Sequence, residues 1–370
     1  MVDIEISPGK RARTAYSFDD ISIAPSRRTR EPSEVSINWQ IDAYSFELPL
    51  LAAPMDSVVS PESAIAIGKS GGLGVLNLEG LWSRYENPKI QLGEISSIPA
   101  EQATRRMQEL YRAPIRAELI RKRLAEIREA GVYVAAALSP QRIAEFYKTV
   151  IDAGVDIFVI RGTTVSAEHV SKAKEALNLK KFIHNLDVPV IVGGCATSQS
   201  ALHLMRAGAA GVLVGFGGGA AHTTRQVLGI SVPMATAVAD VAAARREYLD
   251  ESGGRYVHVI ADGSIGKSGD IAKAIACGAD AVMLGSPLAR AESAPGRGWH
   301  WGPEAHHGEL PRGTRVYVGS SGSLEEILLG PSHSADGSMN LFGALRRAMA
   351  TSGYSDLKEF QRVEVVLSRA

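Results

Sequence analysis

The chain has 370 residues, enough for one large domain or two ordinary ones. Lys and Arg together number 40, as do Asp and Glu, so no excess charge favours nucleic acid or an acidic membrane surface. Two cysteines, Cys195 and Cys277, are too few for a disulfide framework, and no apolar run approaches the roughly 20 residues of a spanning helix. We therefore expect a cytoplasmic protein whose partner is a small molecule or another protein, with no nucleic acid and no membrane.

Eight short apolar or β-branched segments predict β-strands. They are Leu48–Met55, Gly71–Asn77, Tyr133–Ser139, Ile157–Gly162, Pro189–Cys195, Gly211–Gly217, Tyr256–Gly263 and Ala281–Ser286. Segments of helical period lie between them, at Pro61–Ser70, Ala117–Ala130, Ser139–Ala153, Ser198–Ala207, Met234–Asp250 and Gly269–Cys277. This alternation predicts an α/β fold, a single (β/α)₈ TIM barrel.

The remaining segments predict additions to the barrel rather than further domains, so residues 1–370 form one domain. An N-terminal extension precedes the first strand. Residues 86–130 are charged and predict a helical connection between the second and third strands. Residues 294–340 include a stretch rich in Gly, Pro, Trp and His and predict a lid or flap, and C-terminal helices follow, with Gly353 as a break between them.

The ligand site of such a barrel lies at the carboxyl ends of its strands, and loops seven and eight often bind phosphate. Gly263, Ser264, Gly285 and Ser286 follow those two strands, and their small size allows close approach; ordinary tight turns explain them equally well. Asp262 ends an apolar strand, where an ionised side chain is costly without a ligand. It suits a ribose diol, the alternative being a helix N-cap, for which Ser268 is better placed.

A glycine-rich loop follows the sixth strand. Gly215 and Gly217 with Ala220 match the dinucleotide-binding pattern, and Asp240 lies about 20 residues further on. The segment up to Pro233 nevertheless resembles a loop rather than a helix, which argues against a Rossmann site and favours a ligand loop.

A second unusual segment is rich in histidine. It runs from Trp299 through His300 and Trp301 to His306 and His307, and it lacks the carboxylates and spacing of a metal site. We expect no metal there. A mobile lid or an oligomer contact through exposed Trp299 and Trp301 is favoured instead.

Several segments together resemble the IMP dehydrogenase/GMP reductase family, over about residues 14–290 and again at Asn340–Phe360. They are Tyr16–Asp20, Pro49–Val58, Gly71–Val75, Val190–Gly194, Val214–Arg225, Val257–Gly263 and Met283–Ala289. The match is nearest to short relatives that lack the cystathionine-β-synthase-type regulatory module, because residues 86–130 stand where that module would be inserted and are too few to form it.

The resemblance implies a purine nucleoside monophosphate as ligand and NAD or NADP as cofactor, with a monovalent cation as a further possibility. Met55 would pack on the purine, Asp262 would hold the ribose, and Ala53 would also belong to the substrate site. The 5′-phosphate would bind Ser264, Gly285 and Ser286, with Gly219 and Gly263 as further substrate-binding residues, whereas Ala220 stands where the family has a phosphate-binding serine. The cofactor would lie against Arg161, Gly162, Thr163, Gly215 and Gly217. The resemblance also implies a homo-tetramer or larger assembly.

Departures from the family pattern fall on the catalytic half of the site. His222 stands where the family has its cysteine nucleophile, and imidazole is a poorer nucleophile and a better proton carrier. Thr224, two residues further on, and Cys195 are the other candidate catalytic residues. Arg161 replaces an aspartate that contacts the nicotinamide ribose, and Cys195 replaces an asparagine. The base-binding Tyr-Arg-Gly-Met-Gly segment and the Arg-Tyr pair of the flap are not recognisable.

Three hypotheses follow. The first is a nucleotide-binding protein that has little or no dehydrogenase activity and acts by sensing nucleotide or by assembling with a catalytic paralogue. The second is an active NAD(P)-dependent oxidoreductase on a purine nucleotide, with Cys195 or another group as nucleophile; a small buried cysteine that fills space is the alternative explanation of Cys195. The third is a structural subunit with an empty site.

Overall fold

The computed structural model describes residues 3–167, 177–216, 218–308 and 312–368. Eight parallel strands form a closed barrel in chain order, in which the last strand pairs with the first through Val282 and Leu50. We label them β1 (Leu50–Ala52), β2 (Leu73–Asn77), β3 (Ala135–Leu138), β4 (Ile157–Arg161), β5 (Val190–Cys195), β6 (Gly211–Val214), β7 (His258–Asp262) and β8 (Ala281–Leu284). The predicted (β/α)₈ fold is confirmed.

The barrel strands are shorter than predicted but lie at the predicted places. β3, β6 and β8 are buried along their whole length, as expected for a parallel sheet that is covered on both faces. The helices that cover the barrel are Pro61–Lys69, Ala117–Glu129, Ile143–Asp152, Leu179–His184, Ser198–Arg206, Met234–Glu251, Ser268–Ala276 and Ser286–Ala289. The helix predicted from Ser139 begins four residues later, at Ile143.

Glycine is required where helix Ser268–Ala276 turns into β8. Gly278 has φ of 111°, and a Cβ atom there would lie 2.6 Å from the Cβ of Ala242. A larger residue would therefore be strained and would collide with helix Met234–Glu251.

The connection between β2 and β3 contains the turn Leu81–Ser83 and the helices Lys89–Ser97, Ala100–Leu110 and Ala117–Glu129. Smaller strand pairs lie outside the barrel: Asp3–Ser7 with Lys10–Arg13, Trp39–Ile41 with Tyr44–Phe46, Trp299–His300 with Val316–Tyr317, and Ile21–Ile23 with Val365–Leu367. Helices Leu324–Leu329, Leu341–Thr351 and Leu357–Phe360 lie near the C-terminus, and the predicted break at Gly353 separates the last two.

A buried carboxylate joins the C-terminal segment to the amino end of the barrel. Asp280, which precedes β8 and is 1% exposed, contacts Arg245 at 2.7 Å and Lys358 at 2.6 Å. Tyr256 and Gln361 also donate hydrogen bonds to it, at 2.7 and 3.0 Å. Burial opposes its ionisation, but the charges of Arg245 and Lys358 prevail and lower the pKa of Asp280 to about 2.

None of the helices within the described ranges combines the length and the apolar character that crossing a membrane requires.

Candidate active site

A cavity of about 670 Å³ opens at the carboxyl ends of the strands, where the sequence placed the site. Its lining includes Met55 after β1, Asn77 at the end of β2, Ser139 after β3, Arg161–Thr164 at β4, Gly215, His222 and Thr224 after β6, and Asp262 at the end of β7. Two connections complete the wall. Residues 84, 108, 111 and 112 come from the β2–β3 connection, and residues 301–304 and 306–308 come from the segment after β8.

The predicted phosphate residues meet at the β6, β7 and β8 loops. A Cβ atom on Gly219 would lie 3.7 Å from the Ser286 hydroxyl, and one on Gly218 would collide with the Ser264 hydroxyl. Ser286 Oγ is buried without a hydrogen-bond partner in the structure. Because buried hydroxyl groups are normally satisfied, this atom suits a ligand oxygen.

The remaining predicted substrate residues lie close by. Met55 is buried, and its Sδ would be 3.4 Å from a Cβ atom on Gly285, so both border the same place. Ala53 is buried and donates its N–H to Leu284 O at 2.9 Å, which ties the end of β1 to β8. Gly263 has φ of 110°, a conformation that favours glycine. Ala220 is exposed to solvent.

His222 is held by a buried acid. Its Nδ1 lies 2.8 Å from Glu304 Oε1, and Arg312 lies 3.4 Å from the same oxygen. Burial opposes ionisation of Glu304, but the hydrogen bond and charge of His222, with the charge of Arg312, lower the pKa of Glu304 to about 2. Glu304 therefore fixes the imidazole through Nδ1, and Nε2 is the nitrogen that remains for a ligand.

Neither Glu304 nor Arg312 was assigned a role from the sequence. Both lie in residues 294–340, which were predicted only as a lid or flap. Arg312 also donates to Thr163 Oγ1 at 3.1 Å and to Thr223 Oγ1 at 3.3 Å, so the segment is tied to the β4 and β6 loops. No local pattern in the sequence indicates this pairing.

Arg161 and Asp262 form an ion pair across the mouth. Arg161 Nη2 lies 3.2 Å and Nε 3.3 Å from Asp262 Oδ2, and both side chains are largely buried. The carboxylate predicted to hold a ribose is thus already paired. Arg161 also fits poorly as a nicotinamide-ribose contact, because it presents a cation, bound to Asp262, where an acceptor is needed. The residues present do not match a nicotinamide site at this position.

Cys195 is not placed as a nucleophile. Its side chain is fully buried with Sγ 3.5 Å from Leu213 O, and burial raises the pKa of the thiol to about 12. This overturns the expectation that Cys195 faces the ligand, because the residue packs within the barrel wall. Cys195 therefore fills space, as the alternative explanation had it.

The other predicted residues are accounted for as follows. Gly162 donates its N–H to Gly193 O at 2.9 Å, and a Cβ atom on Gly215 would meet Asp262 O at 2.1 Å, so both glycines allow close backbone approach. Thr224 is buried with its hydroxyl unpaired. Gly217 lies outside the described residues.

A polar cluster at the opposite wall had no predicted role. Asp56, 2% exposed, accepts hydrogen bonds from the Tyr111 hydroxyl at 2.5 Å and the Leu81 N–H at 2.9 Å. Burial raises the pKa of Asp56 to about 6, although these hydrogen bonds act in the other direction. Trp301 donates to the Tyr111 hydroxyl at 2.9 Å, and the His306 ring stacks on Tyr111 at 3.5 Å between ring centres.

The expected exposure of the tryptophans is wrong for Trp301, which is 1% exposed and faces the cavity; Trp299 is half-buried. Hydrogen bonding and stacking fix Trp301 and His306 inside the molecule, so they are not available for an oligomer contact. Across the residues that the structure describes, no cluster of three or more His, Cys, Asp or Glu side chains could hold a metal ion.

A family model described as the IMP dehydrogenase / GMP reductase domain matches residues 15–369. The chain belongs to the IMP dehydrogenase/GMP reductase family. An inosine-5′-monophosphate dehydrogenase of Methanocaldococcus jannaschii is 30% identical, over 77% of this chain and 74% of that protein. Uncharacterized oxidoreductases of Mycolicibacterium smegmatis and Mycobacterium tuberculosis are each 54% identical, over 97% of this chain and 98% of the relative.

A solved structure gives the same result for the three-dimensional fold. The crystal structure of an IMP dehydrogenase/GMP reductase-like protein from Corynebacterium glutamicum matches with a TM-score of 0.93 and 51% identity, over 99% of this chain and 98% of that one. This member of the IMP dehydrogenase/GMP reductase family therefore shares its whole architecture, extensions included, with a short relative.

Proposed function

We propose that this protein binds a purine nucleoside 5′-monophosphate at the barrel mouth and does not carry out thiolate-dependent dehydrogenation. Membership of the family supports the ligand class. The loops after β6, β7 and β8 support it too, because neighbouring Gly218 and Gly219 lie against Ser264 and Ser286, and the Ser286 hydroxyl is buried and unpaired. An anionic phosphate oxygen would satisfy that donor.

The state of the two cysteines carries the second half of the proposal. Cys195 is buried with a pKa raised to about 12. Cys277 ends a helix on the far side from the mouth, does not line the cavity, and has its pKa raised to about 11 by burial. Since the chain has no other cysteine, no thiolate is available for attack on a purine carbon.

His222 offers proton transfer instead. Its Nδ1 is bound to ionised Glu304, and this contact orients the imidazole so that Nε2 is free to exchange a proton with a ligand. On this proposal the pair recognises a polar edge of the bound base rather than forming a covalent adduct. Nucleotide occupancy would then be sensed through assembly, either as a homo-tetramer or with a catalytic paralogue.

Calorimetric titration with IMP, GMP, XMP and AMP tests the ligand class. We expect saturable binding of at least one of them, and binding about tenfold or more weaker for Ser286→Ala, because a hydrogen bond to a charged group is lost. Ser332→Ala, an exposed serine outside the cavity, is the matched control. No binding at millimolar nucleotide would refute the proposal.

A second candidate is an active oxidoreductase of altered specificity, which the names of the mycobacterial relatives favour. Absorbance at the reduced-nicotinamide band, followed with each nucleotide and NAD or NADP in both directions, separates the two. Turnover above a no-enzyme control would establish the second candidate. Turnover that survives Cys195→Ala would show in addition that a group other than Cys195 is responsible.

A further inference from the structure

A second groove lies on the flank of the barrel, between the N-terminal and C-terminal segments. It has a volume of about 340 Å³ and is lined by residues 26–28, 30, 352–354, 359 and 362, none of which lines the cavity at the mouth. Four of these residues are arginines: Arg27, Arg28, Arg30 and Arg362. Arg27, Arg28 and Arg362 are exposed, and Arg30 is half-buried.

These guanidinium groups form no close ion pair among the described residues. In the described part of the chain, none of the four lies within 4.0 Å of a carboxylate oxygen. The single acid that lines the groove, Glu359, accepts hydrogen bonds from the Ser355 hydroxyl at 2.7 Å and from the Ser355 N–H at 3.2 Å. Glu359 partly offsets the charge of Arg30 and Arg362, but four cations surround this one anion, so the groove is electrostatically suited to an anionic ligand.

A structural explanation accounts for only one of the four arginines. Helix Leu341–Thr351 ends at the groove, and cations are favourable at helix C-termini. Arg30 Nε donates to Gly353 O at 2.9 Å just beyond that end. Arg27, Arg28 and Arg362 have no such acceptor among the described atoms, so the helix terminus does not require them.

The groove is preformed rather than a chance space between loose segments. Backbone hydrogen bonds join its two sides, from Ala24 to Glu364 at 2.9 Å, from Arg30 to Ala350 at 2.9 Å and from Ser36 to Ser355 at 2.8 Å. A Cβ atom on Gly353, at φ of 83°, would lie 2.5 Å from Arg28 O, which shows how closely the segments approach. A ligand would therefore bind without a large ordering cost to the backbone.

We propose that this groove binds a pyrophosphate group, either as inorganic pyrophosphate or as part of a nucleoside di- or triphosphate. Guanidinium groups match phosphate oxygens in bidentate geometry, and four of them balance the several charges of a pyrophosphate better than a single phosphate. Tyr354 lines the same groove and offers an aromatic side chain for the base of an attached nucleoside. The site is separate from the proposed nucleotide site at the mouth.

Calorimetry on the full chain tests the groove with inorganic pyrophosphate, GTP and GMP as probes. Wild type should bind pyrophosphate, more weakly as salt is raised, and Arg28→Gln/Arg362→Gln should bind it at least about tenfold more weakly. Arg121→Gln, which removes an exposed charge on helix Ala117–Glu129, is the matched control and should leave binding unchanged. Tighter binding of GTP than of pyrophosphate would identify the nucleotide as the source of the group.

The two proposed sites are distinguished by titrating each variant with the ligand of the other site. Ser286→Ala should leave pyrophosphate binding unaltered, while Arg28→Gln/Arg362→Gln should leave nucleoside monophosphate binding unaltered. Failure of either proposal is then visible independently of the other. No pyrophosphate or GTP binding at millimolar concentration, or binding indifferent to the two arginines, overturns the inference. So does a change of oligomeric state in the arginine variant without a change in pyrophosphate binding, because it would make the groove a contact between copies.

Discussion

Two buried carboxylates at the barrel mouth respond oppositely to their surroundings. Glu304 is hydrogen-bonded to His222 and paired with Arg312, and these contacts outweigh burial and lower its pKa to about 2. Asp56 is bound at short range by the neutral donors of Tyr111 and Leu81, so burial dominates and raises its pKa to about 6. The contacts of Glu304 therefore offset the cost of burying its charge, whereas those of Asp56 do not.

The raised pKa of Asp56 predicts that this group makes the folded protein more stable at lower pH. Its pKa of about 6 in the folded protein exceeds the value of about 3.9 in an unfolded chain, so the folded protein takes up this proton first. The group therefore adds stability as the pH falls from about 6 to about 4. Relative to Asp56→Asn, wild type should gain on the order of 2 kcal/mol of unfolding free energy between pH 7 and pH 4, measured by urea denaturation. A difference between the two proteins that is independent of pH would contradict this.

At the level of elements, the barrel was predictable and the connections were not. Each strand is buried on both faces and therefore shows in the sequence as a short apolar run. Barrel topology then places residues at or just after strand ends, such as Asp262 and Ser286, at the mouth. Tyr111, Glu304 and Arg312 come from long connections. Their positions depend on how those connections fold back over the barrel, which no local periodicity encodes, and the pairing of Arg161 with Asp262 likewise depends on the opposite wall.

The Tyr111 hydroxyl is one of the groups that anchor the β2–β3 connection to the barrel. Tyr111 donates to Asp56 and accepts from Trp301, so it joins the connection both to the segment after β1 and to the segment after β8. Tyr111→Phe should lower the unfolding free energy by about 2 kcal/mol. The Asp56 carboxylate would lose a hydrogen-bond donor, and the Trp301 N–H would lose its acceptor. Urea denaturation measures this. Tyr317→Phe, which is 67% exposed, should change stability little, and equal losses in both variants would refute the anchoring role.

At the scale of the whole molecule, Asp280 joins the C-terminal segment to the barrel. This carboxylate is fully enclosed by Arg245, Lys358, Tyr256 and Gln361. Asp280→Asn should reduce the unfolding free energy by about 3–5 kcal/mol, because Arg245, 6% exposed, is left buried without a counter-charge.

An exposed ion pair serves as the comparison for Asp280. Arg206 and Glu251 are 2.7 Å apart with side chains nearly half exposed, so Glu251→Gln should cost less than about 1 kcal/mol. Urea denaturation of both variants, with circular dichroism to confirm native secondary structure, provides the values. Similar losses at Asp280 and Glu251 would show that the C-terminal segment does not depend on this carboxylate.

The pairing that closes the barrel has a consequence for biosynthesis. β1 pairs with β2 on one side and with β8 on the other, and about 230 residues separate β1 from the end of β8. At translation rates of about 5–20 residues per second, one edge of β1 lacks its native partner for on the order of 10–50 seconds after it is made. During that interval the nascent chain presents an apolar strand with an open edge, and protection from aggregation must come from outside the native fold, for example from a ribosome-associated chaperone.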